Sequence, residues 1–136
     1  MSNAENFRAF IDAFNSDDFD AMREIAGNSV YHESATGREA QGEEYMALLK
    51  GWRTAFPNLT GEITSLMESG DTVVAEITWT GTHDGPLGMP DGSAIPATGN
   101  PMRNEAAMVA RYKDGVPDRS NHYFDLMTVM RTAGVA

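Results

Sequence analysis

The stretch Gly70–Gly85 reads GDTVVAEITWTGTHDG, and it decides the fold of this chain. Its first two residues are typical of a hairpin turn, and side chains alternate along Thr72–Thr80 with the period of a β-strand. One face of this strand is apolar and carries Val73, Ala75, Ile77 and Trp79. The other face is mostly polar. We therefore predict a strand of an antiparallel sheet with one core face and one wetter face.

Helices precede this strand and further strands surround it. Apolar side chains recur with helical spacing in Glu5–Asn15, and two more helices are predicted at Phe19–Ile25 and at about 42–55. Strands are predicted at 60–68, 103–112 and 118–126, and residues 127–133 suit a short tail strand or a helical turn. This order predicts one α+β domain over residues 1–136, with helices on one face of a curved antiparallel sheet.

Composition argues against several kinds of function. The 136 residues carry a net charge of −10, which disfavours nucleic-acid binding because phosphate contacts need clustered Lys and Arg. The sequence has no cysteine for thiolate chemistry, and its three histidines are too widely spaced to predict a metal site. No apolar run is long enough to cross a membrane, and no leader precedes the first helix. We therefore expect a cytoplasmic protein that needs no cofactor.

The connection after the decisive strand is unusually long. Residues 81–101 are rich in glycine and proline, and connections of this length in a compact domain usually line or cover a site. Whether residues 85–100 form a lid is left open.

Three short motifs carry a resemblance to a known family. They are Gly81-Thr82-His83-Asp84-Gly85, then Gly88-Met89-Pro90, and finally Tyr123-Phe124-Asp125. In this order, after amphipathic helices, they resemble the SnoaL-like polyketide cyclases of the nuclear-transport-factor-2-like superfamily. The resemblance covers about residues 7–134. It implies a cone-shaped, curved antiparallel sheet with N-terminal helices packed on its concave face.

The resemblance also implies two acid/base residues. His32 stands where SnoaL-like proteins line their cavity, and Asp125 matches the proposed acid/base aspartate of the cyclases. A carboxylate in an apolar cavity has a raised pKa, and a neutral imidazole accepts protons near pH 7, so both suit proton transfer. The alternatives are a structural histidine bonded to a loop carbonyl, and an aspartate that caps the following turn.

Seven further residues are expected to bind the substrate: Phe14, Trp52, Trp79, His83, Ala106, Met108 and Tyr123. His83 could equally anchor the long loop. The cyclases carry a Gln and a His two residues apart on the penultimate strand, and the matching positions here are Ala106 and Met108. The cavity is therefore expected to be apolar, which disfavours aromatic polyketide cyclisation.

Three functions fit these observations. The first is a cofactor-free isomerase, cyclase or lyase that acts on a small hydrophobic carbonyl compound. The second is a non-catalytic protein that binds an apolar small molecule, and the third is a dimeric module whose cavity has lost its function. We also expect a homodimer formed through the outer face of the sheet, where Val74, Thr78 and Val109 offer an apolar and threonine-rich surface.

Overall fold

The computed structural model describes all residues, 1–136, as four helices and eight strands. The helices are α1 (Asn3–Asn15), α2 (Phe19–Ala26), α3 (Glu43–Ala55) and α4 (Leu126–Thr132). The strands are β1 (Val30–Glu33), β2 (Arg38–Gln41), β3 (Thr60–Ser69), β4 (Thr72–Thr82), β5 (Leu87–Gly88), β6 (Ala94–Ile95), β7 (Pro101–Lys113) and β8 (Val116–Tyr123). None of the helices is long and apolar enough to cross a membrane.

Six strands form one curved sheet in the order β2-β1-β8-β7-β4-β3, and β5 pairs with β6 as a separate small hairpin. The α+β prediction is confirmed, but the sheet is mixed rather than antiparallel. The exception is β1, which runs parallel to β8, with Glu33 opposite His122. Local periodicity gives no information on the direction in which two strands distant in sequence pair, so the prediction missed this pairing.

A tight turn connects β3 to β4 where the sequence predicted it. Ser69 pairs with Thr72, so Gly70 and Asp71 form a two-residue hairpin loop, and Gly70 has a φ of +56°. A two-residue hairpin with glycine first and positive φ is the type II′ geometry, which follows the twist of the strands. This turn keeps β3 and β4 adjacent and in register, and β7 pairs with β4 on the far side of the long connection.

The helices pack on one face of the sheet and form the core with it. The predicted apolar face of α1 is buried, with Phe7, Phe10, Ile11 and Phe14 each at most 8% exposed. Ser2 is the N-cap of α1, and its side chain accepts a hydrogen bond from the backbone N–H of Glu5. Amphipathic burial of this kind supplies most of the stability of a short helix, so α1 depends on the sheet below it.

Candidate active site

A cavity of about 60 Å³ lies between the helices and the sheet. Thirteen residues line it, and eleven of them are hydrophobic. Four of the predicted lining residues are among them: Phe14, Trp52, Trp79 and Met108. The two polar lining residues are Asn104 and His122, neither of which was predicted for the site. A small apolar space with a buried imidazole is thus the strongest candidate for a functional site.

His122 is hydrogen-bonded on both ring nitrogens and is only 8% exposed. Its Nδ1 lies 2.7 Å from Tyr31 Oη, and its Nε2 lies 3.2 Å from the indole Nε1 of Trp79. An indole N–H is only a donor, so Nε2 must accept this hydrogen bond. The proton of the neutral ring is therefore on Nδ1, where it is donated to Tyr31 Oη.

The surroundings keep His122 uncharged at neutral pH. Burial lowers the pKa of His122 to about 4, and the negative charge of Glu33 offsets only part of this effect. The imidazole is thus neutral over the physiological range, and its Nε2 lone pair is a proton acceptor.

Glu33 is a fully buried carboxylate that accepts hydrogen bonds from four side chains. Its Oε1 lies 2.6 Å from Arg38 Nη2 and 2.7 Å from Thr36 Oγ1. Its Oε2 accepts from Trp52 Nε1 at 2.9 Å and from Tyr31 Oη at 3.2 Å. Burial alone would raise the pKa of Glu33, but these hydrogen bonds and the Arg38 charge outweigh it, so the pKa is lowered and the group is ionised.

Local packing positions Trp79 for its contact with His122. The indole meets the ring of Phe14 edge-on, with 5.4 Å between centroids. The indole also packs against Gly61, where a Cβ would lie 2.7 Å from the indole ring. Asn15 holds Gly61 in place, because its side chain bonds both the N–H and the C=O of this glycine at 2.8 Å. The glycine is therefore required to make room for the indole.

The structure places His32 outside the cavity, so its predicted location is wrong. Successive strand residues point to opposite faces, and in β1 it is Tyr31 and Glu33 that point inward. His32 points to the outer face, where its Nδ1 lies 3.4 Å from a carboxylate oxygen of Glu39. The side chain is 31% exposed and does not line this cavity.

Asp125 does not face the cavity either, and the capping alternative describes it correctly. The strand β8 ends at Tyr123, and Asp125 is the N-cap of α4. Its carboxylate accepts hydrogen bonds from Met127 N at 3.0 Å and from Thr128 Oγ1 at 2.8 Å. The hydrogen bond from Thr128 is the main reason that the pKa of Asp125 is lowered, whereas the prediction was a raised pKa.

Two other predicted lining residues also lie elsewhere. Tyr123 points to the outer face and is 46% exposed. Ala106 is buried on the inner face of β7 but is not among the residues that line the cavity. Its neighbour Asn104 does line it, although the amide already bonds the backbone C=O and N–H of Asp125 at 3.0 and 3.1 Å.

His83 anchors the long loop, which was the alternative to its lining role. It is fully buried, packs against the ring of Phe56, and its Nδ1 lies 3.0 Å from Thr98 Oγ1. Its backbone N–H and C=O bond Asn100 and Gly99. These hydrogen bonds join the beginning of the loop at residue 83 to its end at residues 98–100. No residue of the loop lines the cavity.

One register error explains why the sequence pointed to Asp125 rather than His122. We predicted that Tyr123 and Asp125 face inward, whereas the inward residues of β8 are Ser120 and His122, followed by Phe124. A signal for the correct register was present, because the Tyr123 face of this segment also carries Arg119 and Asp125. The face with fewer charges is the one that should be buried.

The comparisons with known proteins agree with this architecture. The sequence profile of the SnoaL-like polyketide cyclases matches residues 4–133. Among solved structures, a candidate SnoaL-like polyketide cyclase from Jannaschia sp. CCS1 shares 22% identity with a TM-score of 0.86, covering 98% of this chain and 92% of that one. IdmH from Streptomyces antibioticus, a candidate polyketide cyclase, shares 24% identity with a TM-score of 0.80, covering 99% of this chain and 100% of that one.

A third solved structure has a similar fold. It is a protein from Catenulispora acidiphila with a ketosteroid isomerase-like fold, in complex with trimethylamine, at 20% identity, a TM-score of 0.78 and coverage of 97% and 94%. These identities establish a shared fold, and no curated protein matches the sequence. The match of the family profile over nearly the whole chain shows that the protein belongs to the SnoaL-like polyketide cyclase family.

Proposed function

We propose that this protein catalyses cofactor-free proton transfer at a carbon next to the carbonyl group of a small, uncharged, largely apolar compound. The observation that carries the proposal is the contact of 3.2 Å between the Trp79 indole N–H and the Nε2 lone pair of His122 inside an apolar cavity. The cavity pairs a donor with a base. A carbonyl compound with an acidic α-hydrogen offers the complementary acceptor and proton.

The substrate would separate this pair and bond to both members. Its carbonyl oxygen would accept the hydrogen bond from Trp79, while its α C–H would face Nε2 of His122. The proton would move from carbon to Nε2, and the C–H electron pair would form an enolate whose oxygen is stabilised by the indole N–H. Return of the proton to another carbon gives an isomer. Alternatively, the enolate carbon attacks a second carbonyl and closes a ring, and the proton on Nε2 passes to the new alkoxide oxygen.

The weak basicity of His122 does not contradict this role. A carboxylate base with a pKa near 4.6 performs such chemistry in ketosteroid isomerase, where the enolate is stabilised by hydrogen-bond donors. Here the pKa of His122 is lowered to about 4 by burial, so the base is always available at neutral pH. The main requirement on the site is therefore to stabilise the enolate oxygen.

The charge distribution favours an uncharged substrate. No charged side chain lines the cavity, and the nearest buried charge is the carboxylate of Glu33, which lies behind Tyr31. An anionic compound would lose its hydration and be repelled by this carboxylate. We therefore expect ketones and related neutral carbonyl compounds rather than carboxylic acids.

A non-catalytic binding protein of the same fold is the second candidate. It is favoured by the fact that both polar lining residues already have hydrogen-bond partners within the protein. In that case the cavity would hold an apolar molecule by contact with its aromatic rings alone. The mismatch at Ala106 and Met108 with the Gln and His of the cyclases agrees equally with both candidates.

Hydrogen–deuterium exchange distinguishes the two candidates. We would incubate the protein with 2-tetralone, 1-indanone and cyclohexanone in D₂O and follow loss of the α-proton signals by NMR. Catalysis predicts exchange above the buffer rate in the native protein and loss of this excess in His122→Gln. A purely binding protein would broaden the probe signals without accelerating exchange.

The matched control is Asp125→Asn, which changes the other predicted acid/base residue outside the cavity. We expect its exchange rate to equal that of the native protein. If His122→Gln retained the full exchange rate, or if Asp125→Asn abolished it, the assignment of His122 as the base would be wrong.

We also infer that the protein forms a homodimer through the outer face of the sheet. Cross-strand partners Met67, Val74 and Val109 form an apolar row over β3, β4 and β7. Met67 is 62% exposed, which is costly for a side chain of this size unless a partner covers it. Thr78 contributes less than expected to this surface, since it is only 9% exposed.

A further inference from the structure

A chain of hydrogen bonds runs from the protein surface to the cavity. It begins at Arg38, which is 41% exposed, and continues through Glu33, Tyr31 and His122 to Trp79. The donor–acceptor distances along it are 2.6, 3.2, 2.7 and 3.2 Å. The three central members are at most 8% exposed, so water does not compete for these bonds.

The parallel pairing of β1 with β8 builds this chain. Glu33 is the register partner of His122, and Tyr31 lies two residues earlier on the same inward face of β1. Tyr31 is fixed by stacking on the ring of Tyr45, with 4.7 Å between centroids and planes 9° apart. Its hydroxyl is thereby held between the imidazole and the carboxylate.

The direction of each hydrogen bond follows from the ends of the chain. Glu33 is ionised and only accepts, so the hydroxyl of Tyr31 donates to it. At the other end, the indole N–H of Trp79 only donates, so Nε2 of His122 accepts. Nδ1 of His122 must then donate to the oxygen of Tyr31, and every member has a defined proton position.

We propose that Glu33 is a positioning residue for His122 and acts on it through Tyr31. By holding the hydroxyl proton of Tyr31, the carboxylate makes the phenol oxygen an acceptor. Together with the indole N–H of Trp79 at Nε2, this acceptor fixes the imidazole with its proton on Nδ1 and its lone pair on Nε2. The buried negative charge also stabilises the imidazolium that forms when Nε2 takes a proton. This inference rests on the proposed function for the part that concerns catalysis, whereas the proton position of His122 can be measured without any substrate.

A solely structural role for Glu33 makes a different prediction. The carboxylate also bonds Trp52 and Arg38, and these contacts alone could tie β1 to α3. In that case Glu33→Gln would leave the proton position of His122 unchanged, because Nδ1 would still donate to Tyr31 Oη. The ¹⁵N chemical shifts of an imidazole report which nitrogen carries the proton, and a structural tie does not alter them.

The test compares Tyr31→Phe with Tyr112→Phe in protein labelled with ¹⁵N-histidine. Both variants remove one phenol hydroxyl from a buried ring, but the hydroxyl of Tyr112 donates to Asn6 and takes no part in the chain. In the native protein and in Tyr112→Phe we expect the His122 signals of a ring protonated on Nδ1. In Tyr31→Phe we expect a mixture of the two neutral forms. We also expect an at least tenfold slower α-proton exchange, comparable to the loss of groups that orient metal-bound histidines (about 10–100-fold).

A second variant tests Glu33 directly. Glu33→Gln removes the charge but keeps the shape, and we expect it to shift His122 in the same direction as Tyr31→Phe. Unchanged His122 signals in Glu33→Gln or in Tyr31→Phe would overturn the inference, and so would a shifted proton position without a slower exchange in an active protein. If the native protein shows no exchange at all, the proposed function fails, and the ¹⁵N result alone then decides whether Glu33 positions His122.

Discussion

Replacing His122 should make the protein less sensitive to mild acid. The pKa of this histidine is lowered to about 4 in the folded protein by burial, against an ordinary value of 6.5. The unfolded chain therefore binds a proton between these pH values that the folded protein does not bind. Since stability rises with pH wherever the unfolded state binds more protons, the native protein loses stability as the pH falls from 6.5 toward 4.

The size of this effect follows from the two pKa values. They differ by about 2.5, and each pKa unit corresponds to about 1.4 kcal/mol, which gives an upper limit of about 3 kcal/mol. By pH 5, well above the folded pKa, about 2 kcal/mol should already be lost relative to pH 7.5. In His122→Gln this contribution disappears, because glutamine does not titrate, while all other groups titrate in both proteins.

Urea unfolding at pH 7.5 and pH 5 measures the difference. The free energy of unfolding is determined for both proteins at one fixed protein concentration, so that association does not change between samples. We expect the native protein to lose about 2 kcal/mol more than His122→Gln between these pH values. Equal losses in the two proteins would show that His122 is not buried in its neutral form, and the assignment of the cavity base would fail with it.

Three further predictions concern the scaffold. Gly61→Ala should destabilise the protein by about 1–3 kcal/mol and change the fluorescence of Trp79, since the new Cβ would lie 2.7 Å from the indole. The control is Gly51→Ala inside α3, where a Cβ meets nothing within 4 Å. This variant should stabilise the protein by roughly 0.5–1 kcal/mol. Asp125→Ala should lower the melting temperature through loss of the α4 cap and leave α-proton exchange unchanged; slower exchange would contradict the capping role. Light scattering should give about twice the chain mass of 14.8 kDa at micromolar concentration, and Val74→Lys should give the monomer; a monomeric native protein would refute the dimer.

Helices and long strands could be predicted because their burial patterns are strong and local. The inward face of β4 carries the expected Val73, Ala75 and Ile77, each at most 1% exposed. The predicted apolar face of α1 is buried in the same way. The structure keeps these periodic patterns because a one-residue shift in the register of a strand would expose all of its apolar side chains.

The site was harder to predict because it depends on short segments and distant pairings. β1 has four residues, too few for its alternation to tell whether His32 or its neighbours face inward. The pairing of β1 with β8 joins residues about 90 positions apart, so nothing in the local sequence brings Glu33 next to His122. Asp125 matched the family motif in sequence, but the strand ended two residues before it and the side chain became a helix cap.

The energetics of the cavity argue that its polar groups have a function. A buried neutral histidine makes the protein less stable in mild acid, and a buried carboxylate needs four hydrogen-bond donors. Both residues are less favourable for folding stability than an apolar residue of similar size would be. The surrounding core shows that this fold can fill the same layer with Met, Leu and Phe side chains. Groups with strongly shifted pKa values that face an apolar cavity are typical of catalytic sites. At the cavity, the lone pair of His122 Nε2 and the N–H of Trp79 bond each other until a substrate separates them. The proposed acid/base role therefore accounts for polar groups that packing alone would not select.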